Sequence, residues 1–354
     1  MTLRVIQWTT GNVGRRALQA ILAHPDLDLV GVFAHNDGKK GVDAATLCGL
    51  PEPTGVLATN DVDALLDLRA DACTYNPLLP DINALTALLE SGVNVCSTAG
   101  YITGRALGSD AVERLRAAAE RGNASMFGSG VNPGFANLLA LVTAGVCDRV
   151  DQIRVLESVD LSTYSSPETM EAVGFAHPVD EPGLSARAEA ASAVFGDAVA
   201  MMADALGVAL DDIAFDADYT AAKVDSDLGF MTIPAGTVAA MDGRWRGRAF
   251  GRDVIILRFQ WIMGSHVDAP FVVTEGWRVE IDGEPSISAN FQVRPPDDGM
   301  ADVVDMSMIA TAMPCVNAIP AVVAAPAGLV TYADLPLITA SGYVTPRWPS
   351  RRLL

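Results

Sequence analysis

Basic charge, histidine, lysine and long apolar runs are all scarce in this sequence of 354 residues. Aspartate and glutamate number 43 against 24 lysines and arginines, giving a formal net charge of −19. A surface of that sign repels phosphate backbones and anionic lipid, which excludes a general nucleic-acid or anionic-membrane role. Only four histidines occur, at 24, 35, 177 and 266. No two stand three or four residues apart, so no helix presents a pair of metal ligands and no metal is expected. The five cysteines (Cys48, Cys73, Cys96, Cys147 and Cys315) include no CxxC pair and read as reduced, mostly buried thiols. Apolar runs such as 138–142 fall far short of the roughly 20 residues a spanning helix needs, and prolines break the Ala-rich stretch 318–330. No basic segment followed by an apolar one opens the chain, so a soluble, cytoplasmic protein is expected.

What is present is enough apolar material, 50% of residues, for a large core. The length suggests two domains. The first 130 residues alternate short apolar runs with amphipathic stretches, the signature of an α/β fold with a doubly wound parallel sheet. Strands are predicted at 3–8, 29–33, 72–75, 93–98 and 125–128. Helices are predicted at 13–24, 81–91 and 109–121, the last capped by Ser109 or Asp110 and stopped by Gly122. Beyond about residue 150 strict alternation takes over. In 254–263, Ile255, Leu257, Phe259 and Trp261 share one face and Arg258 and Gln260 the other, which describes a sheet packed on one side. Strands at 272–281 and 286–293 flank a turn at 282–285, weaker strands lie at 215–221 and 237–246, and one long helix spans 185–206. A final helix from Asp302 to Met313 and the Ala/Pro-rich tail are expected to return to the first domain. The expected division is 1–137 with 301–354, and 138–300.

The N-terminal string IQWTTGNVGRRAL sits between a strand and a helix. It matches G-x-G-x-x-G at Gly11 and Gly14, with Thr9 in the place of the first glycine. Gly11 lets the backbone approach a pyrophosphate and Gly14 lets helix pack on strand, while the helix N-terminus offers free N–H groups and a positive dipole. An ordinary βα turn has the same composition, but the strand-turn-helix context favours the nucleotide reading. Thr10, Gly11, Asn12, Val13 and Gly14 are therefore candidate cofactor-binding residues. An acidic residue at the end of the second strand would select NAD by holding the ribose hydroxyls. Here that stretch is Phe33-Ala34-His35-Asn36, with Lys39 and Lys40 beyond. His35 and Asn36 are placed beside the ribose, and NADP is the expected cofactor. NAD stays possible, because Asp37 would reach the ribose after a shift of one or two residues, and the two lysines also read as solvated loop charges.

Two further loops lie where ligands bind in a doubly wound sheet, at the carboxyl ends of strands. Pro77 follows the strand 72–75. The string Gly128-Ser129-Gly130-Val131-Asn132-Pro133-Gly134-Phe135 follows the strand at 125, and Asn132 is placed against the nicotinamide or substrate. Gly130, Pro133 and Gly134 are read as chosen for backbone conformation alone.

Together with VNVCSTAGY, LSTYSSPETMEAVGF at 161–175 and AIPAVVAAPAGLVTYADLP at 318–336, these strings resemble the dihydrodipicolinate reductase-like superfamily. The similarity is to its branch of 2,4-diaminopentanoate dehydrogenase and NAD(P)H-dependent amine dehydrogenases. That resemblance implies an N-terminal Rossmann domain, a second α+β domain on an open-faced mixed or antiparallel sheet carrying substrate contacts, and a homodimer. The His-His and lysine motif of true dihydrodipicolinate reductases is absent, and only Lys39, Lys40 and Lys223 occur. Where amine dehydrogenases of the branch carry a glutamate, this chain has Gly100-Tyr101.

The expected activity is reduction of a C=O or C=N bond in a small, largely apolar substrate, with Tyr101, Tyr164 and His177 as candidate proton donors and Asn132, Glu168 or a bound water behind them. The cleft expected to hold the reacting centre lies between the GSGVNPGF loop and 161–177. With no carboxylate foreseen for ammonium, a ketone or preformed imine is the expected substrate. The alternative is a dinucleotide-binding sensor or assembly protein without turnover.

Overall fold

The computed structural model describes residues 2–265, 267–295 and 303–344. The chain divides into two compact units, Met1–Phe135 with Arg294–Leu354, and Ala136–Val293. In chain order the first unit contributes β1 (Leu3–Trp8), α1 (Asn12–Ala23), β2 (Leu27–Phe33), α2 (Ala44–Cys48), β3 (Ala58–Thr59), α3 (Val62–Leu66), β4 (Ala72–Tyr75), α4 (Ile82–Glu90), β5 (Asn94–Ser97), α5 (Ser109–Gly122) and β6 (Ser125–Gly128). The second holds α6 (Ala136–Ala144), β7 (Arg149–Asp160), α7 (Pro167–Val173), α8 (Leu184–Ala191), α9 (Ala193–Ala205), β8 (Asp212–Ala221), β9 (Ser226–Asp227), β10 (Thr232–Ile233), β11 (Val238–Ala249), β12 (Arg252–Ile262), β13 (Gly276–Glu284) and β14 (Ile287–Phe291). The return to the first unit is α10 (Val303–Val323) and β15 (Gly328–Val330).

The first unit is a seven-stranded sheet in the order β15-β6-β5-β4-β1-β2-β3, with every pairing parallel. Its strands are short and apolar because both faces are covered. On one side Ala17, Leu18 and Ile21 of α1 meet Ala312, Cys315, Val316, Ile319 and Val322 of α10 over Val5, Val32 and Phe127. On the other, Leu85, Leu88 and Leu89 of α4 and Leu115, Ala118 and Ala119 of α5 cover Ile6, Cys73 and Val95. The strand order reverses between β1 and β4, the topological switch point of a Rossmann fold. The last helix does not stop at Met313 as expected. It runs through Pro314 and Pro320 to Val323, and its buried apolar face outweighs the backbone bonds that the prolines remove. It is long and apolar enough to cross a membrane, yet its apolar residues build this core. Its expected start at Asp302, like His266, lies outside the described residues.

The second unit is a six-stranded mixed sheet, β14-β13-β7-β12-β11-β8, in which only β7 and β12 run parallel. Several expectations are corrected here. The helix predicted over 185–206 is two, broken at Ser192, whose hydroxyl donates to the Ala188 carbonyl and accepts from the Trp245 indole. The strand predicted from 272 begins at Gly276, because Glu275 and Gly276 take φ of 51° and 120°. The long central strand β7 had no counterpart in the sequence reading. In the first unit α5 follows Gly108, and its left-handed stop is Asn123 rather than Gly122. Gly122 answers a packing need, since a Cβ there would lie 1.8 Å from the Leu89 carbonyl oxygen.

Candidate functional site

The turn after β1 is built around one unusual residue. Thr9, standing where a glycine was expected, has φ of 72°, a left-handed conformation that is uncommon for a β-branched residue. Three bonds hold it there: its N–H donates to the Phe33 carbonyl at 2.9 Å, its carbonyl accepts from Gln7 Nε2 at 2.8 Å, and Gln7 Nε2 is itself anchored on Asn76 Oδ1 at 2.8 Å. Thr74 donates to Gln7 Oε1 and Asn76 Nδ2 to Thr98 Oγ1. One amide network thus fixes the carboxyl ends of β1, β4 and β5. Gly14 faces the Thr9 carbonyl so closely that a Cβ would sit 2.5 Å from its oxygen, whereas a Cβ on Gly11 would meet nothing within 4 Å.

That difference separates the two glycines by role. Gly14 packs helix on turn, and Gly11 leaves open space at the N-terminus of α1. Among the described residues no side chain caps that end, and no acidic residue lies in its first turn. The N–H groups of α1 at Asn12 and Val13 thus form an N-terminus whose dipole suits an anion. These residues fit the pyrophosphate of a dinucleotide.

Beyond β2, His35 and Asn36 are exposed, and Asn36 Oδ1 accepts from the Gly38 N–H. The Lys39 ammonium reaches back to the turn, 2.9 Å from Thr10 Oγ1 and 3.3 Å from the Thr10 carbonyl. The Asp37 carboxylate instead accepts from Asn60 Nδ2 at 2.8 Å. Pro77 opens the loop after β4 and is followed by two exposed leucines, Leu78 and Leu79. In the 128–135 string the Ser129 N–H donates to the Ser97 carbonyl, and Ser129 Oγ lies 2.7 Å from the Tyr332 hydroxyl. Gly134, with φ of 136°, faces Ser129 Oγ at 2.5 Å through its would-be Cβ. Gly130 has neither requirement, so backbone conformation does not account for it. Asn132 is extended, at φ of −159°.

The three candidate donors lie in different surroundings. Tyr101 is 2% exposed, its ring packed beside Gly104 in the first unit's core. Tyr164 and His177 belong to the second unit. Tyr164 is half-buried, and burial together with the nearby Glu157 charge pushes its phenol above the ordinary value, so it stays protonated at neutral pH. His177 Nδ1 lies 2.7 Å from Glu181 Oε2, and the Glu181 carboxyl is held below its usual range chiefly by that bond. The bond fixes the ring orientation. Glu168 is exposed in the first turn of α7.

Sequence reasoning passed over Glu157 altogether. It lies on β7, between Phe259 of β12 and Trp277 of β13 in register, and is 9% exposed. Its Oε1 accepts from the Trp261 indole and its Oε2 from the Trp277 indole, both at 2.8 Å. The only signal in the sequence was a carboxylate in phase with Ile153 and Val155.

A doubly wound sheet with an open glycine turn at its switch point, joined to a mixed-sheet domain, defines a dinucleotide-dependent oxidoreductase of two-domain type. Comparison with known proteins gives the family. Residues 135–344 match the 2,4-diaminopentanoate dehydrogenase C-terminal domain. An amine dehydrogenase from Streptomyces virginiae is 33% identical over 359 residues, covering 96% of this chain and 98% of the relative. A 2,4-diaminopentanoate dehydrogenase from Acetoanaerobium sticklandii is 25% identical over 348 residues, covering 95% and 94%. The structure of an amine dehydrogenase from Mycobacterium smegmatis superposes with a TM-score of 0.76 at 22% identity, covering 97% of this chain and 98% of that one, which shows the shared fold. The chain belongs to the 2,4-diaminopentanoate dehydrogenase family, within the dihydrodipicolinate reductase-like superfamily, and is an NAD(P)-dependent oxidoreductase.

Proposed function

We propose that the protein uses NADPH in preference to NADH to reduce a C=N or C=O bond of a small, largely apolar substrate. The observation carrying the cofactor choice is the Lys39 ammonium at the phosphate-binding turn, 2.9 Å from Thr10 Oγ1. A 2′-phosphate carries charge that an ammonium at this place attracts and a carboxylate would repel. None occurs from Phe33 to Asn36, and Asp37 is engaged by Asn60. When bound, a nicotinamide dinucleotide supplies the hydride. Thr10, Gly11, Asn12, Val13 and Gly14 hold its phosphates, His35 and Asn36 flank the ribose, and Pro77 and Asn132 line its path. Both relatives' names specify an amine, which supports C=N chemistry over C=O.

Tyr164 and His177 are the proposed proton donors, the first kept protonated chiefly by its burial and the second with its ring fixed by the Glu181 carboxylate. Tyr101, sealed in the core, is assigned to the wall. The protein is further read as a homodimer, which light scattering on the purified chain tests. Nucleotide fluorescence titrations at physiological salt test the cofactor reading: NADPH is expected to bind at least about tenfold tighter than NADH. Equal affinities overturn it. NADPH oxidation against a panel of small ketones, with and without ammonium, tests the reaction, and silence across the whole panel in both conditions counts against it.

A further inference from the structure

Gln7 is a polar residue in a strand covered on both faces. It is 0% exposed in β1, in register with Val32 of β2 and Thr74 of β4. A buried amide is costly unless it is hydrogen-bonded, and the bonds of this one converge on the carboxyl end of the sheet. Nε2 donates to the Thr9 carbonyl and to Asn76 Oδ1, both at 2.8 Å, with the Trp8 carbonyl at 3.2 Å. Oε1 accepts from Thr74 Oγ1 at 2.7 Å.

The Thr9 backbone needs that support. At φ of 72° it is left-handed, a region where Cβ is crowded and where glycine pays nothing. Asparagine or aspartate in such a place steadies itself through a local side-chain bond. Thr9 does not, because its hydroxyl is buried and has no hydrogen-bond partner among the described residues. The conformation is held from outside, by the Phe33 carbonyl on the N–H and by Gln7 on the carbonyl.

The ligand-facing parts of the turn hang on that peptide. The Thr9 carbonyl oxygen is what a Cβ on Gly14 would strike at 2.5 Å, so its direction sets how closely α1 approaches β1. The next residue, Thr10, supplies both oxygens that receive the Lys39 ammonium. Asn76 extends the chain of bonds: its backbone N–H donates to the Trp8 carbonyl and its Nδ2 to Thr98 Oγ1, and Pro77 follows it. The glycine turn and the loop after β4, which flank the switch point, therefore share one buried anchor.

We propose that Gln7 is a positioning residue for the dinucleotide. Sealed beneath the turn, it does not touch the ligand. It holds Thr9 in the conformation that presents the N–H groups of α1 to the pyrophosphate, and so does for threonine what glycine does unaided. The inference rests on the reading of residues 10–14 as the phosphate site. It has a specific consequence: Gln7 matters to nucleotide binding only while residue 9 is not glycine.

A double-mutant cycle on the full chain tests this, with wild type, Gln7→Met, Thr9→Gly and the double variant titrated with NADPH and with NADH well below each Tm. Methionine keeps the length of the side chain and lacks its donors. Gln7→Met is expected to weaken both nucleotides about tenfold, because the pyrophosphate is common to them. The double variant is expected to bind both as tightly as Thr9→Gly does. A Gln7 that only supports the fold would lower Tm and leave the affinities of the folded protein unchanged. Unchanged affinities in Gln7→Met, a loss confined to NADPH, or the same loss on the Thr9 and Gly-substituted backgrounds would each overturn the proposal. Thr74→Val releases Gln7 Oε1 and is expected to weaken both nucleotides about threefold; if Gln7→Met does not fold, undiminished binding by Thr74→Val overturns the proposal instead. A wild-type chain that binds neither nucleotide removes the phosphate-site reading and this inference with it, whereas wild-type binding with unaffected variants removes the role of Gln7 alone.

Discussion

Alanine at Gly11 and alanine at Gly14 should have opposite consequences, although both glycines belong to one motif. At Gly14 the new methyl would lie 2.5 Å from the Thr9 carbonyl oxygen and 3.0 Å from its carbon, both backbone atoms. Thr9 cannot easily yield, because its N–H is bonded to the Phe33 carbonyl and its own carbonyl to Gln7 Nε2. Relief requires a backbone shift, and overpacking of this kind costs about 1–3 kcal/mol. A domain of this size loses about 2–4 °C in Tm for each kcal/mol. At Gly11 the backbone is at φ of −73° and ψ of −167°, open to any residue, and the methyl meets nothing within 4 Å. Gly11→Ala should therefore leave Tm unchanged or slightly raised, through the lower entropy of the unfolded chain. Its cost falls on the ligand, because the methyl occupies the space that a pyrophosphate needs, and about 1.4 kcal/mol of lost contact is tenfold in Kd. Differential scanning calorimetry and NADPH titration on the two variants separate the effects. A Gly14→Ala protein as stable as wild type, or a Gly11→Ala protein with undiminished NADPH affinity, would refute this division of roles.

Three further outcomes are expected. Lys39→Ala should erase most of the NADPH preference and His35→Asp should reverse it, by placing at the end of β2 a carboxylate that repels a 2′-phosphate; paired NADPH and NADH titrations check both. Tyr164→Phe or His177→Ala should lower kcat by about two to four orders of magnitude with NADPH binding retained, while Tyr101→Phe stays near wild type; near-normal kcat in both of the first two removes the donor assignment. Asp282 is held below its ordinary pKa chiefly by its bond to Arg154. Its contribution to stability is therefore complete above about pH 4, the unfolded value, and is lost as pH falls through the lower native one. Asp282→Asn should shrink the drop in Tm between pH 5 and pH 2, modestly, since the pair is partly solvated, and an unchanged acid profile would contradict that sign.

The first unit was legible because its signals are local. β1, β4 and β6 are compact apolar runs, and α4 carries its own N-cap, Asp81, whose Oδ1 accepts from the Asn83 and Ala84 N–H groups. Where the reading of the two long helices failed, the deciding partner was distant in sequence. The helix over 185–206 breaks at Ser192 because the Trp245 indole donates to that hydroxyl from 53 residues away. The helix that was to end at Met313 continues because Cys315, Ile319 and Val322 face a sheet assembled from the other end of the chain. Proline marks a local cost, and tertiary burial overrode it.

The same distinction explains which parts of the site were readable. Gly11 and Gly14 announce themselves because a turn that admits phosphate needs small residues at fixed spacing. Thr9 looked like a defect in that pattern, but the fold supplies with three hydrogen bonds the left-handed backbone that a glycine would take without help. β7 hid for a related reason. One row, Gln152, Arg154, Leu156 and Ser158, mixes polar and apolar residues, and the other is interrupted by Glu157, so RVDQIRVLESVD lacks the clean alternation that marks β12. Read alone, a glutamate in an apolar row argues against a strand. Two indoles from β12 and β13 reverse that argument, because they make the inward carboxylate affordable only when the sheet is assembled around it.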